Sequence, residues 1–262
     1  FAKGDHEDWS QLTPAMIDYC IRDAELTEAV YNKLQVELSG FSQDSVDLEH
    51  KVHKLMEQQE TNGWLLDQRL CHELTAKFKE RMNEIEHNLQ AVFPPTVEER
   101  FSDKTGKRLK DKVTVFNVGS RQQIAERLAT KGAVWLTQTP TGKPIVDEKT
   151  LRENIAVPHA SEILEYLLVQ KRYAQVNSWL EHVGEDGRVH GRVLSNGAVT
   201  GRMTHQSPNM AQVPSSSSEY GKECRDCWVV PEGRKLVGVD ASGLELRMLA
   251  HYMGDEEFTN VL

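Results

Sequence analysis

Apolar residues change their rhythm along this chain near Gly184. Before it they recur at intervals of three and four, the period of amphipathic helices. After it come short apolar runs separated by turn residues, the signature of strands and hairpins. A chain that is helical for two-thirds of its length and mixed thereafter is expected to be α+β.

Capping residues place the helices. Thr13-Pro14 is an N-cap followed by proline in the first turn, and Met16, Tyr19, Leu26, Val30 and Leu34 carry a helix to about Leu38, before Gly40 stops it. A second helix runs from about Ser45, with Leu48, Val52, Leu55 and Met56 on one side, and ends at Asn62-Gly63. Asp67 caps a third, which reaches about Val92 before Pro94-Pro95 break it. The stretch from Pro94 to Val115 is polar, basic and aperiodic and predicts a loop or flexible insertion. Ser120-Arg-Gln-Gln123 is a capping-box pattern opening a short helix that Gly132 closes. Asp147-Glu148 starts another, and a longer helix spans roughly Ser161 to His182.

Beyond Gly184, Glu185-Asp186-Gly187 and Ser195-Asn196-Gly197 are turns flanking the strand-like Val189 to Leu194. Pro231-Glu232-Gly233 turns the chain into the apolar run Lys235 to Val239, which reads as a buried strand ending in Asp240. Leu244 to Met253 reads as a helix. A strand-end aspartate followed by a tight turn and a helix puts a carboxylate at the mouth of a sheet, with Glu245 in the first turns of the helix facing the same space. A hard cation such as Mg²⁺ takes oxygen ligands of this kind. An aspartate at such a junction also serves as a plain helix cap.

Charge and cysteine usage add limits. The chain has 262 residues, 39% hydrophobic and 27% charged, with a net charge of −9. That balance argues against a surface that is basic all over, yet Lys104, Lys107, Arg108, Lys110 and Lys112 form a local basic stripe, which suits phosphate and on composition alone reads equally as a solvated loop. Cys20 and Cys71 stand alone, and Cys224-x-x-Cys227 lacks the second pair that a structural zinc site needs, so reduced thiols in a cytoplasmic protein are expected. No apolar run approaches the roughly 20 residues of a membrane span, and no signal peptide is expected. The chain opens on Phe1 rather than Met, which suggests a fragment.

Three strings carry the chemistry. Val237-Gly-Val-Asp-Ala-Ser-Gly-Leu-Glu-Leu-Arg247 resembles motif A of family A DNA polymerases, D-x-S-x-x-E-L-R, matching at Asp240, Ser242, Glu245, Leu246 and Arg247. Gly197-Ala-Val-Thr-Gly-Arg202, continuing through His205 and Pro208-Asn209 to Gln212, resembles the T-G-R-x-[ST]-x-x-x-P-N-[LM] motif of the same family. Tyr19-Cys-Ile-Arg-Asp23 places a phenol and a carboxylate four apart on one helical face. That spacing fits an ordinary helix edge, and in its place ahead of the other two strings it resembles the third motif of 3′→5′ proofreading exonucleases, Y-x-x-x-D.

The resemblance is to the bacteriophage type of the family and covers the chain from about Pro14 onward. It implies an α+β fold divided as residues 1–40, a terminal helix of a ribonuclease H-like exonuclease domain; residues 41–183, a helical thumb; and residues 184–262, the start of an antiparallel palm sheet. It implies that Asp240 and the carbonyl of Ala241 ligate catalytic Mg²⁺, and that Glu245 excludes a ribose 2′-OH. Arg202, His205, Asn209 and Gln212 would contact the minor groove of the primer–template, and Lys171 and Arg172 the backbone phosphates. Tyr19 would orient a water and Asp23 hold metal in the exonuclease. The expected substrates are primer–template DNA and dNTPs, at a cytoplasmic location in the host cell and without a membrane partner. In some phage enzymes a long thumb insertion binds host thioredoxin. Here the stretch from Phe93 to Val115 occupies the comparable place and is much shorter, so a direct grip on DNA is the competing expectation. With each site only partly represented, the chain by itself is expected to be inactive. A non-catalytic DNA-binding fragment is the alternative, and Glu245 argues against a single-subunit RNA polymerase.

Overall fold

The computed structural model describes residues 12–261. The chain forms two compact units, Phe1–Glu57 and Gln58–Leu262.

In the first unit, helix α1 spans Pro14–Glu37, with the Thr13 hydroxyl accepting from Met16 N–H as its N-cap. Helix α2 (Gln43–Asn62) follows and runs on past Glu57 into the second unit, its start held by Ser45 N–H donating to the Ser42 hydroxyl. Neither helix has a buried residue.

The second unit is built on two long helices, α3 (Gln68–Val92) and α6 (Ala160–Glu181), which pack along each other. Asp67 caps α3 by accepting from Leu70 N–H. Two apolar clusters divide the length of this pair. One gathers Ile85, Leu89, Phe93, Phe116, Ile124, Leu128, Leu151 and Ile163, and so seats the short helices α4 (Arg121–Ala129) and α5 (Glu148–Glu153). The other gathers Leu66, Cys71, Leu74, Phe78, Val169, Val176, Trp179 and Val189 around helix α7 (Gly221–Asp226). A forked ion pair crosses the helices, with Arg81 Nε and Nη2 donating to Glu165 at 2.6 and 2.9 Å.

Among the described residues three two-stranded antiparallel ladders complete the fold. Strand β1 (Trp64–Leu65) pairs with β4 (Arg188–Val189), and Leu66 bridges to Trp228, so the chain leaving α7 is tied to the base of α3. Strands β2 (Thr96–Phe101) and β3 (Arg108–Thr114) form a hairpin. Strands β5 (Arg192–Leu194) and β6 (Thr204–Gln206) form another, followed by a 3-10 turn at Met210–Gln212. Helices α8 (Leu244–Met253) and α9 (Glu256–Val261) close the described chain. The fold is mixed helical with small antiparallel sheets, and its longest strands, β2 and β3, lie before Gly184, where the apolar rhythm predicts helix alone.

Four expectations need correction. Pro94 to Val115 is not a loop but contains the β2–β3 hairpin, stitched by Lys112–Glu98 and Arg108–Glu99 contacts at 3.5 and 3.3 Å. Both faces are largely exposed, so the alternation that marks a half-buried strand is missing. Lys235 to Val239 is not a buried strand: among the described residues it pairs with nothing, and Val239 is 94% exposed. A strand requires a neighbour for its backbone groups, and apolarity alone does not supply one. Val189 to Leu194 is broken at His190-Gly191, where the His190 ring turns to the Glu60 carbonyl and Gly191 lies so close to Met210 that a Cβ would sit 2.6 Å from its Cγ. Cys71 is not isolated: it lies in the core with Cys224 and Cys227 and meets the Cys227 thiol, and burial raises Cys224 to about 11.

Candidate nucleic-acid interface and active-site residues

The loop between β5 and β6 carries Gly197 to Arg202. Gly197 presses against Thr204, Gly201 adopts φ +75°, and Ala198 N–H donates to the Arg202 carbonyl at 3.1 Å. This tight closure fixes where Arg202 leaves the backbone. Its guanidinium Nη2 donates to Glu245 Oε1 at 2.9 Å, across 43 residues of sequence. Two strings that sequence reasoning could treat only separately thus meet in one place.

Glu245 sits in the first turn of α8. The N-cap position of that helix is Gly243, at φ +62°, with no side-chain cap. Asp240 is therefore not the helix cap, which removes the plainest alternative for that carboxylate. Ser242 is held by Arg247, whose Nε donates to the Ser242 carbonyl at 2.9 Å. Asp240 and the Ala241 carbonyl are oxygen donors of the kind a hard cation takes. Among the described residues no group of three or more His, Cys, Asp or Glu side chains converges as a metal cluster. Asp240 thus offers one carboxylate beside one backbone carbonyl, with no metal cluster formed around them among the described residues.

The other sequence-predicted residues fall into place unevenly. His205 lies on β6 opposite Val193, with its Nδ1 buried and unpartnered among the described residues. Asn209 caps the 3-10 turn by accepting from Ala211 N–H at 3.1 Å, so any outward hydrogen bond from it would come from its NH₂ group. The Gln212 carbonyl accepts from Gln175 on α6, which ties this turn to the long helix. Lys171 is exposed, whereas Arg172 is only 7% exposed and donates to the Glu219 carbonyl and the Ser218 hydroxyl. The two neighbouring cations divide between surface and core because one residue turns a helix by about 100°. Their expected joint role on phosphate is not what this geometry offers.

In the first unit, the Tyr19 phenol donates to Asp23 one helical turn on, and that hydrogen bond holds the phenol above its ordinary pKa. The pair is made as its spacing predicts. In the second unit, sequence reasoning missed the basic hairpin as a built element. Its signal was the Ser102-Asp-Lys-Thr-Gly106 turn, with Gly106 at φ +64°. Around it, Arg100, Lys104, Lys107 and Lys110 are exposed, while Arg108 and Lys112 are engaged by acids of the hairpin.

Comparison with known proteins gives the class. The family model described as DNA polymerase family A matches residues 68–262, most of the chain, and the chain belongs to that family. It is 32% identical to the DNA-directed DNA polymerase of Enterobacteria phage T3 and 31% identical to that of Escherichia phage T7. Both matches cover 95% of this chain and 47% of the relative. It is 28% identical to DNA polymerase I of Pseudomonas aeruginosa, over 91% of this chain and 25% of the relative. The chain thus spans about half the length of the phage proteins it matches. Among solved structures it resembles the POL domain of Pol1 from M. smegmatis, in complex with DNA primer-template and dNTP. That match has a TM-score of 0.63 at 22% identity and covers 80% of this chain and 34% of that one. The T3 alignment is 334 positions long against 262 residues here, so the relative carries insertions within the matched span. The compact hairpin at 96–114 gives a thioredoxin partnership no support. No helix among the described residues is long and apolar enough to cross a membrane.

Proposed function

We propose that this chain is part of a template-directed DNA polymerase and contributes the surface that grips primer–template DNA beside the incoming dNTP. The observation that carries the reading is the 2.9 Å contact between Arg202 and Glu245, which joins the two family motifs at one point. Arg202, with His205, Asn209 and Gln212, would meet minor-groove acceptors near the primer terminus. Those acceptors are nearly alike for all base pairs, so such contacts test pairing geometry without demanding a sequence. Glu245 would occupy the space a ribose 2′-OH requires and so select deoxynucleotides. Asp240 and the Ala241 carbonyl would hold part of a Mg²⁺ set. Magnesium, when bound, supplies charge stabilisation to the attacking and leaving oxygens of phosphoryl transfer. Lys171 and the exposed hairpin cations would meet backbone phosphates, and Arg172 would act indirectly by shaping the Ser215–Tyr220 loop. Tyr19 and Asp23 would belong to a linked 3′→5′ exonuclease, positioning water and metal. The domain reading that goes with this is an exonuclease remnant to residue 40, a thumb to 183 and a palm beyond.

Asp240 and the Ala241 carbonyl would supply only part of the oxygen ligands a hard cation takes. The 262-residue chain by itself is therefore expected to bind DNA without extending it. The test is fluorescence anisotropy with a labelled primer–template over a salt series. Affinity should fall linearly in log salt, by about 0.9 per phosphate contacted, and replacing Arg100, Lys104, Lys107 and Lys110 by glutamine should flatten that slope. Adding dNTPs and Mg²⁺ to the same complex should leave the primer length unchanged. Absence of binding at low salt, or an unaltered slope in the hairpin variant, would count against the proposed grip. Sustained extension would overturn the partial-site argument.

A further inference from the structure

We infer that Arg202 is shared between two partners, and that Glu245 competes with primer–template DNA for it; the inference rests on the DNA reading above. The Arg202 guanidinium is taken by Glu245 through Nη2 and Oε1 at 2.9 Å. Both side chains are about three-quarters exposed, at 75% and 78%, so a polyanion can reach the pair.

Each residue is set by its own element. Arg202 is fixed by the closed β5–β6 loop, in which Ala198 N–H donates to the Arg202 carbonyl. Glu245 is fixed by the first turn of α8 behind the Gly243 cap position. The contact is therefore a meeting of two independently anchored groups and not a local accident of neighbouring residues.

A guanidinium has five N–H donors in a rigid fork and no acceptor. The donors that would read minor-groove acceptors belong to the same group that now serves Glu245. When DNA draws them away, the carboxylate loses its cation and stands available for the sugar of an incoming nucleotide. When DNA leaves, the pair closes again. The acid that would select the sugar is thereby engaged while no primer terminus is present, and is released when one arrives. Glu245 acts in this exchange as a positioning residue for Arg202, separately from any contact of its own with substrate.

Exposed ion pairs are weak, so the competition is mild. Releasing Arg202 from Glu245 should tighten DNA binding by about 1.5- to 5-fold. The experiment is a four-way comparison on the same chain at low salt: the unaltered protein, Glu245→Ala, Arg202→Ala and the double variant, each titrated with labelled primer–template. Glu245→Ala is expected to bind more tightly by that factor, and the gain should be smaller when Arg202 is already alanine. Removing any acid near DNA also lowers general repulsion, and the Arg202→Ala background separates that effect. Equal tightening in both backgrounds would reduce Glu245 to a bystander charge and overturn the inference. Unchanged or weaker binding by Glu245→Ala would overturn it as well. Failure of the unaltered chain to bind at all would instead bring down the DNA reading, and the inference with it.

Discussion

Replacing Gly197 by alanine adds one methyl group and removes no donor, acceptor or charge. A Cβ at that position falls 1.8 Å from Thr204 Oγ1, 2.8 Å from its Cβ and 2.9 Å from its Cγ2. All three atoms crowd the methyl, so no rotation of Thr204 clears it, and a β-branched side chain has few rotamers to try. The loop that carries Arg202 must lift away from β6. Overpacking of this kind costs about 1–3 kcal/mol. If the strain falls on the three-residue β5–β6 ladder, its open population rises by about 5- to 150-fold. Amide hydrogen exchange reads this directly. Protection should drop by that factor in the β5–β6 ladder and stay unchanged in α3 and α6, because openings are local where few contacts hold an element. Adding Thr204→Ala removes Oγ1 and Cγ2 while leaving the 2.8 Å Cβ contact, and should restore part of the protection. Exchange in Gly197→Ala equal to that of the unaltered chain would refute the claim that this contact fixes the loop.

Two further outcomes follow from the same geometry. The His190 pKa is raised, chiefly by Nδ1 donating to the Glu60 carbonyl at 2.7 Å and further by Asp186, while the Asp186 pKa is lowered, chiefly by the Arg188 backbone N–H. The histidine's contribution is full below its unfolded value of about 6.5 and is lost as pH rises through the folded value; the aspartate's is present above about 3.9 and is lost as pH falls through its folded value. Denaturation midpoints should therefore fall from pH 6 to pH 8 in the unaltered chain and fall less in His190→Gln; parallel curves would exclude His190 as the cause. In the core, Trp179 is 1% exposed and meets Trp228 edge-on at 5.0 Å. Trp179→Ala should cost about 3–5 kcal/mol by denaturant titration, and a loss under about 1 kcal/mol would show that the site collapses around the gap.

Much of the helical part was legible because its signals are local. Thr13, Asp67, Ser120 and Asp147 each cap the helix they announce, through a hydrogen bond to a backbone N–H two or three positions into it. The burial of Arg172 was missed, although Val169, Arg172, Val176 and Trp179 follow one helical stripe and all four are buried. The β2–β3 hairpin was hidden because exposure on both faces erases alternation. The segment before Asp240 misled for the opposite reason, since an apolar run signals burial only where something is present to cover it. The Arg202–Glu245 contact lay beyond reach altogether: nothing in either string encodes a meeting 43 residues away. The pairing of Tyr19 with Asp23, by contrast, needs only the pitch of a helix.

The exposed segment Leu236 to Val239 bears on how this chain would behave among its own copies. An apolar stretch that pairs with no strand among the described residues can serve as a template for another chain to add itself as a strand. Arg234 and Lys235 on one side and Asp240 on the other bracket only four such residues. Charged flanks of this sort act as gatekeepers against stacking. The carboxylate read here as a metal ligand would then have a second duty, as part of the fence that keeps a sticky ribbon from seeding aggregates.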